Sequence, residues 1–413
     1  MLSWFGELDA GGRRTFWACF AGYALDALDL QIYTLVIPVL IRLWGLSKGD
    51  AGALASVALV MSAFGGWGAG LLADRIGRVR TLQLTIAWFA VFTFLSGLTA
   101  NYQQLLVTRG LQGLGFGGEW AAGSVLMAEA ASARHRGKAV GAVQSAWSIG
   151  WAGAVLVATV LLTVLPREIG WRALFMLGLL PGLAVFLVRR FVSEPEVYRE
   201  AKVQAKATAP LLAIFGPRFI GTTLRCALLA VGAQGGYYAI TTWLPTYLAS
   251  ERHLSVIGAG GYLGVVIAGS FCGYLTSAWL NDAAGRRRTL LIFAVGSLLV
   301  VLGYTHLPLS NAVMLPLGFP LGFFASGIFS GMGSLFSELF PTELRGSGQG
   351  FCYNVGRGLA AGIPFLVGWA SSKAPLGESI GLFAGSAYAL VVLAALLLPE
   401  TKGRPLESLS AAS

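Results

Sequence analysis

Two aspartates lie three residues apart inside an otherwise apolar run near the start of the chain. The run reads YALDALDLQIY, and its acidic residues are Asp26 and Asp29. Residues three apart on a helix share a face, and two carboxylates so close in a low dielectric resist joint ionisation. One of them can therefore take up and release a proton near the working pH. We expect a proton-coupling site here; the alternative is that one or both aspartates pair permanently with buried arginines.

Further charged residues lie inside two other apolar runs. Arg109, Gln112, Phe116 and Glu119 recur at helical spacing and form one stripe, which we expect to face a cavity. Arg357 lies about 16 Å along its own predicted helix. A guanidinium can bind both oxygens of a carboxylate, so Arg357 is predicted to anchor an anionic substrate. A permanent ion pair with a buried Asp or Glu is the alternative.

The candidate site residues fall into two groups. We expect proton coupling by Asp26, Asp29 and Glu119. We expect substrate binding by Arg357, Arg109, Gln112, Gln144, Tyr237, Tyr238, Tyr353 and Asn354. Ligand pockets combine aromatic walls with few polar groups. The set therefore favours a substrate with an apolar or hydroxylated body attached to a carboxylate.

The composition places these residues in a membrane. Of 413 residues, 56% are hydrophobic and 12% are charged, and a run of about 20 apolar residues spans a bilayer. Twelve apolar segments are predicted to be transmembrane helices, so the fold class is an all-α membrane protein. The segments are 14–43, 51–73, 81–100, 103–129, 138–165, 171–191, 217–249, 255–280, 289–307, 312–338, 347–371 and 378–398.

The basic residues predict the orientation. With both termini in the cytoplasm, the inside segments hold 20 of the 29 Lys and Arg residues, against 6 outside. This positive-inside bias accounts for the net charge of +10 without any nucleic-acid partner. We expect a multi-pass protein of the cell (inner) membrane that functions as a monomer. Cys19, Cys226, Cys272 and Cys352 have no metal-site spacing and are predicted to be buried free thiols.

The two halves of the chain repeat. ADRIGRVRT and NDAAGRRRT are offset by 208 residues, and EAASARHRG and ELFPTELRG by 209. Parallel repeats of six helices are a transporter architecture with the substrate site between the halves. We predict a six-helix bundle over 1–191, a cytoplasmic linker over 192–216 and a second bundle over 217–413. Residues of the repeated loops are predicted to gate the cytoplasmic side: Gly70, Asp74, Arg75, Gly77, Arg78, Glu129, Arg136, Asp282, Arg286, Glu338 and Arg345.

Several motifs resemble the major facilitator superfamily across essentially the whole chain. GLLADRIGRVR resembles that family's loop signature between helices two and three, and RGLQGLG resembles its fourth-helix motif. LDALDLQ is similar to the acidic first-helix motif of aromatic-acid and related metabolite:proton symporters, with Ala27 where the usual form has Gly. GFGGEWAAGS resembles the fourth helix of sialate, lactate and dicarboxylate relatives. The resemblance implies two pseudo-symmetric six-helix bundles and proton-coupled uptake of an organic anion by alternating access.

Two other functions compete with this hypothesis. LPETKGRPLE resembles the tail of sugar and metabolite porters, which leaves a sugar or polyol proton symporter as an alternative. The buried arginines argue against it, because a neutral substrate needs no cationic anchor. A membrane sensor that does not transport is the other alternative. The sequence has no Cys/His metal cluster and no phosphate-binding loop followed by Lys-Ser/Thr, so we expect no enzyme, metal or cofactor apart from the coupling proton.

Overall fold

The computed structural model describes residues 3–76, 78–116, 127, 136–180, 211–341 and 344–402. Within these ranges the regular structure is helical. The helices are α1 Ser3–Glu7, α2 Ala10–Trp44, α3 Lys48–Ile76, α4 Arg78–Ser96, α5 Tyr102–Phe116, α6 Arg136–Gln144, α7 Ala146–Val164, α8 Arg167–Leu177, α9 Ile220–Ser250, α10 Val256–Ala284, α11 Arg286–His306, α12 Asn311–Leu339, α13 Arg345–Ala360, α14 Ile363–Ala370 and α15 Leu376–Leu397. A short 3-10 helix, Leu211–Phe215, precedes α9.

The all-helical class predicted from the sequence is confirmed. In the described part of the chain, seven helical spans are long and apolar enough to cross a membrane, one of which runs through α6 and α7 from Lys138 to Val164. Large apolar side chains such as Trp67, Leu156 and Leu299 stand exposed on the helix surfaces, at 64% to 67% of their area. Such a surface would be unfavourable in water but suits lipid. Cys272 also lies on this surface, contrary to the expectation that all four thiols are buried.

Local sequence sets where several helices begin and end. The Asp9 carboxylate accepts the Gly12 amide at 2.6 Å before α2, and the Ser255 hydroxyl accepts the Gly258 amide at 3.1 Å before α10. Both are N-caps, which satisfy amides that have no partner within the helix. Gly45, with φ of 63°, follows the last residue of α2. Glycine adopts this left-handed conformation without steric cost, so the helix can end there.

Two predicted continuous segments are each broken into two helices. The fifth segment is interrupted at Ser145, where the Ser148 amide donates to the Ser145 carbonyl at 3.1 Å in a tighter turn. The eleventh is interrupted at Ala361 and Gly362, just before Pro364. Proline has no amide N–H to donate, so the regular hydrogen-bond ladder cannot continue through it. The breaks lie inside the predicted segments 138–165 and 347–371, whose overall extents match the paired helices.

Close helix packing depends on small residues. A Cβ atom at Gly150 of α7 would overlap the carbonyl oxygen of Ala24 on α2, so only glycine lets these two helices approach so closely. Gly141 of α6 lies in the same way against Ala278 of α10. Small residues at helix contacts are typical of membrane proteins, where association depends on direct backbone packing.

Helices from the first part of the chain, α1–α8, contact helices from the second part, α9–α15, at several places. Gly141 of α6 meets Ala278 near the end of α10. The Ser148 hydroxyl of α7 donates to Ser270, near the middle of α10, at 3.1 Å. The Phe365 amide of α14 donates to the Ser56 hydroxyl of α3 at 3.2 Å. The two parts of the chain are therefore packed against each other through α3, α6 and α7 on one side and α10 and α14 on the other.

Candidate functional site

An amide bridges a carboxylate and a guanidinium in the interior of the first set of helices. Gln112 of α5 donates its side-chain amide to Oδ2 of Asp29 on α2, and its carbonyl oxygen accepts from Nη1 of Arg109. The same amide nitrogen also donates to the Thr93 hydroxyl at 2.7 Å. Only one orientation of the Gln112 amide serves both neighbours, because its oxygen cannot donate and its nitrogen cannot accept. The charge of the Asp29 carboxylate is therefore linked, through the Gln112 amide, to the hydrogen bond that Arg109 donates.

Arg109 is held by an aromatic ring as well. Its guanidinium carbon lies 4.5 Å from the centroid of the Tyr33 ring, a cation–π contact. The Tyr33 hydroxyl donates to the Ala51 carbonyl at 2.7 Å, which orients the ring. Arg109 and Asp29 are each only 1% exposed. The bridge and the ring together replace a direct ion pair.

Asp26 lies one helical turn before Asp29 and is also buried, at 3% exposure. These two predicted proton carriers therefore lie on buried positions of α2. Asp29 is the one that accepts the hydrogen bond from Gln112. Glu119, the third predicted carrier, lies outside the described residues.

Arg357 on α13 has a different environment from Arg109. Its guanidinium carbon lies 5.2 Å from the Phe116 ring centroid and 4.9 Å from that of Tyr353. Nη2 is 3.4 Å from the Tyr353 hydroxyl, while Nε and Nη1 have no hydrogen-bond partner among the described residues. No described carboxylate forms an ion pair with it. Arg357 is 4% exposed, so it is a buried cation whose neighbours are aromatic.

Aromatic and amide side chains surround this arginine. The Trp147 indole N–H donates to the Tyr237 hydroxyl at 2.6 Å, joining α7 to α9. The Tyr238 hydroxyl donates to the Gln234 carbonyl oxygen at 3.0 Å, and the Gln234 amide donates to the Tyr353 carbonyl at 2.9 Å. Helices from both parts of the chain therefore contribute to one polar and aromatic interior.

Four of the predicted binding residues retain polar atoms without a partner in the described ranges: Arg357, Arg109 through its Nε, Gln144 and Asn354. Gln144 is buried and Asn354 is half-buried. The Asn354 amide nitrogen donates to the Gly350 carbonyl at 3.0 Å. The side-chain carbonyl oxygens of both residues have no partner within the described ranges.

Three contributing residues were not among the sequence predictions. The Tyr23 ring contacts the Trp147 ring in a tilted arrangement with centroids 5.2 Å apart, Tyr33 packs on Arg109 and Thr93 accepts a hydrogen bond from Gln112. Tyr23 and Tyr33 lie three residues before Asp26 and four after Asp29, so helical spacing from the aspartates was a signal for both. Thr93 gave no comparable signal, because hydroxyls in apolar helices commonly bond to their own backbone.

Part of the predicted gate lies within the described residues, where its side chains form one cluster. Arg286 of α11 forms an ion pair with Glu338 of α12 at 2.7 Å and lies 3.5 Å from Asp282. The Thr401 hydroxyl donates to Glu338 at 2.5 Å, so the segment after α15 joins the cluster. Gly77 and Glu129 lie outside the described residues, as do the side chains of Asp74, Arg75, Arg78, Arg136 and Arg345; Gly70 is known as part of α3 only.

Glu400 completes this cluster beyond the last helix. It accepts the Arg286 amide at 2.8 Å and the Lys402 amide at 3.0 Å. Partial burial by itself would raise the pKa of Glu400, but the backbone amides of Arg286, Lys402 and Thr401 lower it below its usual range. The carboxylate thus fixes the tail to the start of α11. No cluster of three His, Cys, Asp or Glu residues that could bind a metal occurs in the described ranges.

Comparison with known proteins agrees with this architecture. The family model described as Major Facilitator Superfamily matches residues 19–364. A probable 4-methylmuconolactone transporter from Cupriavidus pinatubonensis is 44% identical over 415 residues, covering 100% of this chain and 96% of that protein. A cis,cis-muconate transport protein from Acinetobacter baylyi is 30% identical over 406 residues and covers 96% of each chain.

A solved structure shares the fold. The proton:xylose symporter XylE bound to 6-bromo-6-deoxy-D-glucose matches with a TM-score of 0.77 over 98% of this chain and 99% of that one, at 19% identity. This likeness concerns the fold alone. With the family match over most of the chain, it confirms the major facilitator fold and the resemblance inferred from the sequence motifs. The chain belongs to the Major Facilitator Superfamily, as an integral membrane transporter and not an enzyme.

Proposed function

We propose that this protein is a proton-coupled symporter of a small organic anion that works by alternating access. The observation that carries the proposal is Arg357, a buried cation with two unpartnered nitrogens and no described carboxylate beside it. A buried charge without a partner is costly, so a site that retains one is suited to a ligand that supplies the opposite charge. The relatives named for organic acids, methylmuconolactone and muconate, support the same class of substrate.

Arg357 is assigned the role of the substrate anchor. Its planar guanidinium can donate two parallel hydrogen bonds to one carboxylate. Tyr237, Tyr238 and Tyr353, with Trp147, would pack against the body of the substrate. Gln144 and Asn354 have side-chain oxygens free to accept from a hydroxyl or an amide.

Proton coupling is assigned to Asp29, with Asp26 and Glu119 as further candidates. Protonation would remove the negative charge of Asp29 and so weaken the charge-assisted hydrogen bond that its Oδ2 accepts from the Gln112 amide. The Gln112 carbonyl would then be held less firmly toward Arg109. A single protonation would in this way change two helices at once, α2 and α5, whereas Gln112 and Arg109 would act on coupling rather than on the substrate itself.

Alternating access would move two bundles, 1–191 and 217–413, about the site between them, with 192–216 as their linker. The positive-inside bias supports a protein of the inner membrane with both chain termini in the cytoplasm. The Arg286–Glu338 pair and the tail segment at Glu400 would then lie on the cytoplasmic side. There, ion pairs of modest strength can bias one of two conformations.

Uptake into proteoliposomes with an alkaline interior tests the proposal. We expect accumulation of an organic acid such as benzoate, 4-hydroxybenzoate, muconate, lactate or sialate, and collapse of accumulation when a protonophore removes the gradient. Uptake of hexoses instead would support the sugar or polyol alternative. Binding without uptake of any compound would support a sensor. Empty liposomes are the control for passive entry of protonated acids.

A further inference from the structure

A line of polar side chains runs along α10, where the two parts of the chain meet. Ser270, Tyr274, Ser277 and Asn281 follow one another at intervals of three and four residues, so they share a face of the helix. All four are buried, at 2% exposure or less. From Ser270 to Asn281 the line is about 16 Å long. We name it the polar seam, and polar side chains at such positions in membrane helices are costly unless they have a function.

One end of the polar seam lies beside the candidate site. Ser270 accepts a hydrogen bond from the Ser148 hydroxyl of α7 at 3.1 Å. Ser148 follows Trp147, whose ring contacts that of Tyr23 with centroids 5.2 Å apart. Tyr23 in turn lies one helical turn before Asp26, a predicted proton carrier. The seam therefore begins next to the helices that hold the candidate carboxylates.

The other end of the polar seam reaches the ion-pair cluster at the start of α11. The Arg286 guanidinium donates to the Asn281 carbonyl at 2.9 Å. The same guanidinium pairs with Glu338 at 2.7 Å and lies 3.5 Å from Asp282, the residue after Asn281. The seam thus joins the candidate site to the cluster that is proposed to face the cytoplasm.

Polar atoms along the seam have no hydrogen-bond partner among the described residues. They are Oγ of Ser277, both Oδ1 and Nδ2 of Asn281, and Oε1 of Gln144, which lies one turn after Gly141 on the face of α6 that meets α10. Oδ1 and Nδ2 of Asn281 lie 3.0 Å and 3.3 Å from the point where a Cβ at Gly331 of α12 would stand, so this glycine leaves space at the amide. Reversing the amide gives neither atom a partner. Buried polar groups of this kind are commonly satisfied by ordered water.

We propose that ordered water molecules occupy the polar seam and give the coupling proton a path between the candidate site and the Arg286–Glu338 cluster. This rests on the proposed proton symport and adds the route that the symport uses. A serine hydroxyl both donates and accepts, so together with water it can take up a proton on one side and release one on the other. The Asn281 amide exchanges no proton; it donates to one water and accepts from another, and so holds them in line.

A crystal structure grown from a lipid mesophase, at a resolution that shows ordered water, tests the site directly. We expect water density at hydrogen-bond distance, about 2.7–3.2 Å, from Ser277 Oγ and from the Asn281 amide. This measurement does not depend on whether transport is coupled to protons.

Transport by variants separates a proton path from a role in packing. Ser277→Ala and Asn281→Leu remove groups that hold the water, and Asn281→Ser retains a hydroxyl. Ser297→Ala on α11 is the matched control, because this buried serine donates to the Phe293 carbonyl of its own helix at 2.7 Å. Uptake driven by an alkaline interior should fall at least about fivefold in Ser277→Ala and Asn281→Leu, the change expected for one ordinary hydrogen bond. It should recover in part in Asn281→Ser and stay at the parent rate in Ser297→Ala.

Counterflow at equal pH moves no net proton, so all four variants should stay within about twofold of the parent rate. A well-ordered map without water at Ser277 and Asn281 would overturn the inference, whatever the transport rates. Undiminished gradient-driven uptake in both variants would overturn the proton path, and an equal loss of uptake and counterflow would show a packing role in its place. A parent protein with normal counterflow and no response to the gradient would overturn the proposed symport, and the map alone would then decide whether the seam binds water.

Discussion

Replacing Arg357 with lysine isolates the geometry of the guanidinium from its charge. Lysine retains a positive charge, and its stem can still lie against the aromatic rings of Phe116 and Tyr353. It loses the planar arrangement of donors, because an ammonium is a point charge that places one strong hydrogen bond where the guanidinium places two. The substitution therefore tests bidentate binding of a carboxylate.

The structure allows the size of the effect to be estimated. The guanidinium now makes one long contact, from Nη2 to the Tyr353 hydroxyl at 3.4 Å, and Nε and Nη1 are unused. Arg357→Lys thus breaks no short hydrogen bond of the protein itself, and its cost falls mainly on the substrate. Loss of one hydrogen bond to a charged group costs about 1.5–3 kcal/mol. This corresponds to a roughly 10- to 150-fold rise in the concentration of organic acid needed for half-maximal uptake.

Counterflow in proteoliposomes measures this change, because exchange does not depend on the size of the proton gradient. Arg225→Lys is the matched control, since Arg225 is exposed on α9 and should show uptake like that of the parent protein. Thermal stability of both variants in detergent should stay close to the parent value. Half-maximal uptake within about twofold of the parent in a well-folded Arg357→Lys protein would refute the bidentate anchor.

Three other predictions concern the bridge, the packing and the tail. Gln112→Leu leaves two buried charged groups, Asp29 and Arg109, without their partner, at a cost of about 1–3 kcal/mol each. The thermal midpoint of this variant should therefore fall, and its pH profile of uptake should change. Gln103→Leu, at an exposed position on the same helix, should change neither quantity, and an unchanged pH profile in Gln112→Leu would exclude the bridge from proton coupling. Gly150→Ala should lower the free energy of unfolding by roughly 1–3 kcal/mol, because the added methyl group overlaps the backbone of α2. Gly153→Ala should be tolerated, because its methyl group would meet a side chain at 3.4 Å. Equal stability of the two variants would contradict the close approach of Gly150 to Ala24. Because the folded pKa of Glu400 is lowered, its stabilisation of the tail is present above the usual glutamate pKa and is lost as the pH falls through the lowered value. Glu400→Gln should therefore increase tryptic cleavage of the tail already at neutral pH, and resistance equal to the parent would contradict this role.

The membrane class and most helices follow from local sequence. Apolar runs, N-cap residues such as Asp9 and Ser255, and the excess of small residues act over a few positions, so they can be read without knowing what lies opposite. The breaks at Ser145 and Gly362 were missed because the apolar pattern continues through both. Pro364 offered a local signal for the second break, since proline interrupts a helix ladder.

The candidate site was only partly predictable. The sequence by itself determined which side chains are polar inside apolar helices and, through helical spacing, which of them share a face, as for Asp26 with Asp29 and for Arg109 with Gln112. It left open which carboxylate meets which arginine. Only the tertiary structure decided that Asp29 is joined to Arg109 through Gln112, which lies 83 residues after Asp29 in the chain. It also decided that Arg357 lies among aromatic rings. Such pairings depend on how deeply and at what rotation each helix packs against its neighbours, and this is set by close approaches such as that of Gly150 to Ala24 rather than by any local pattern.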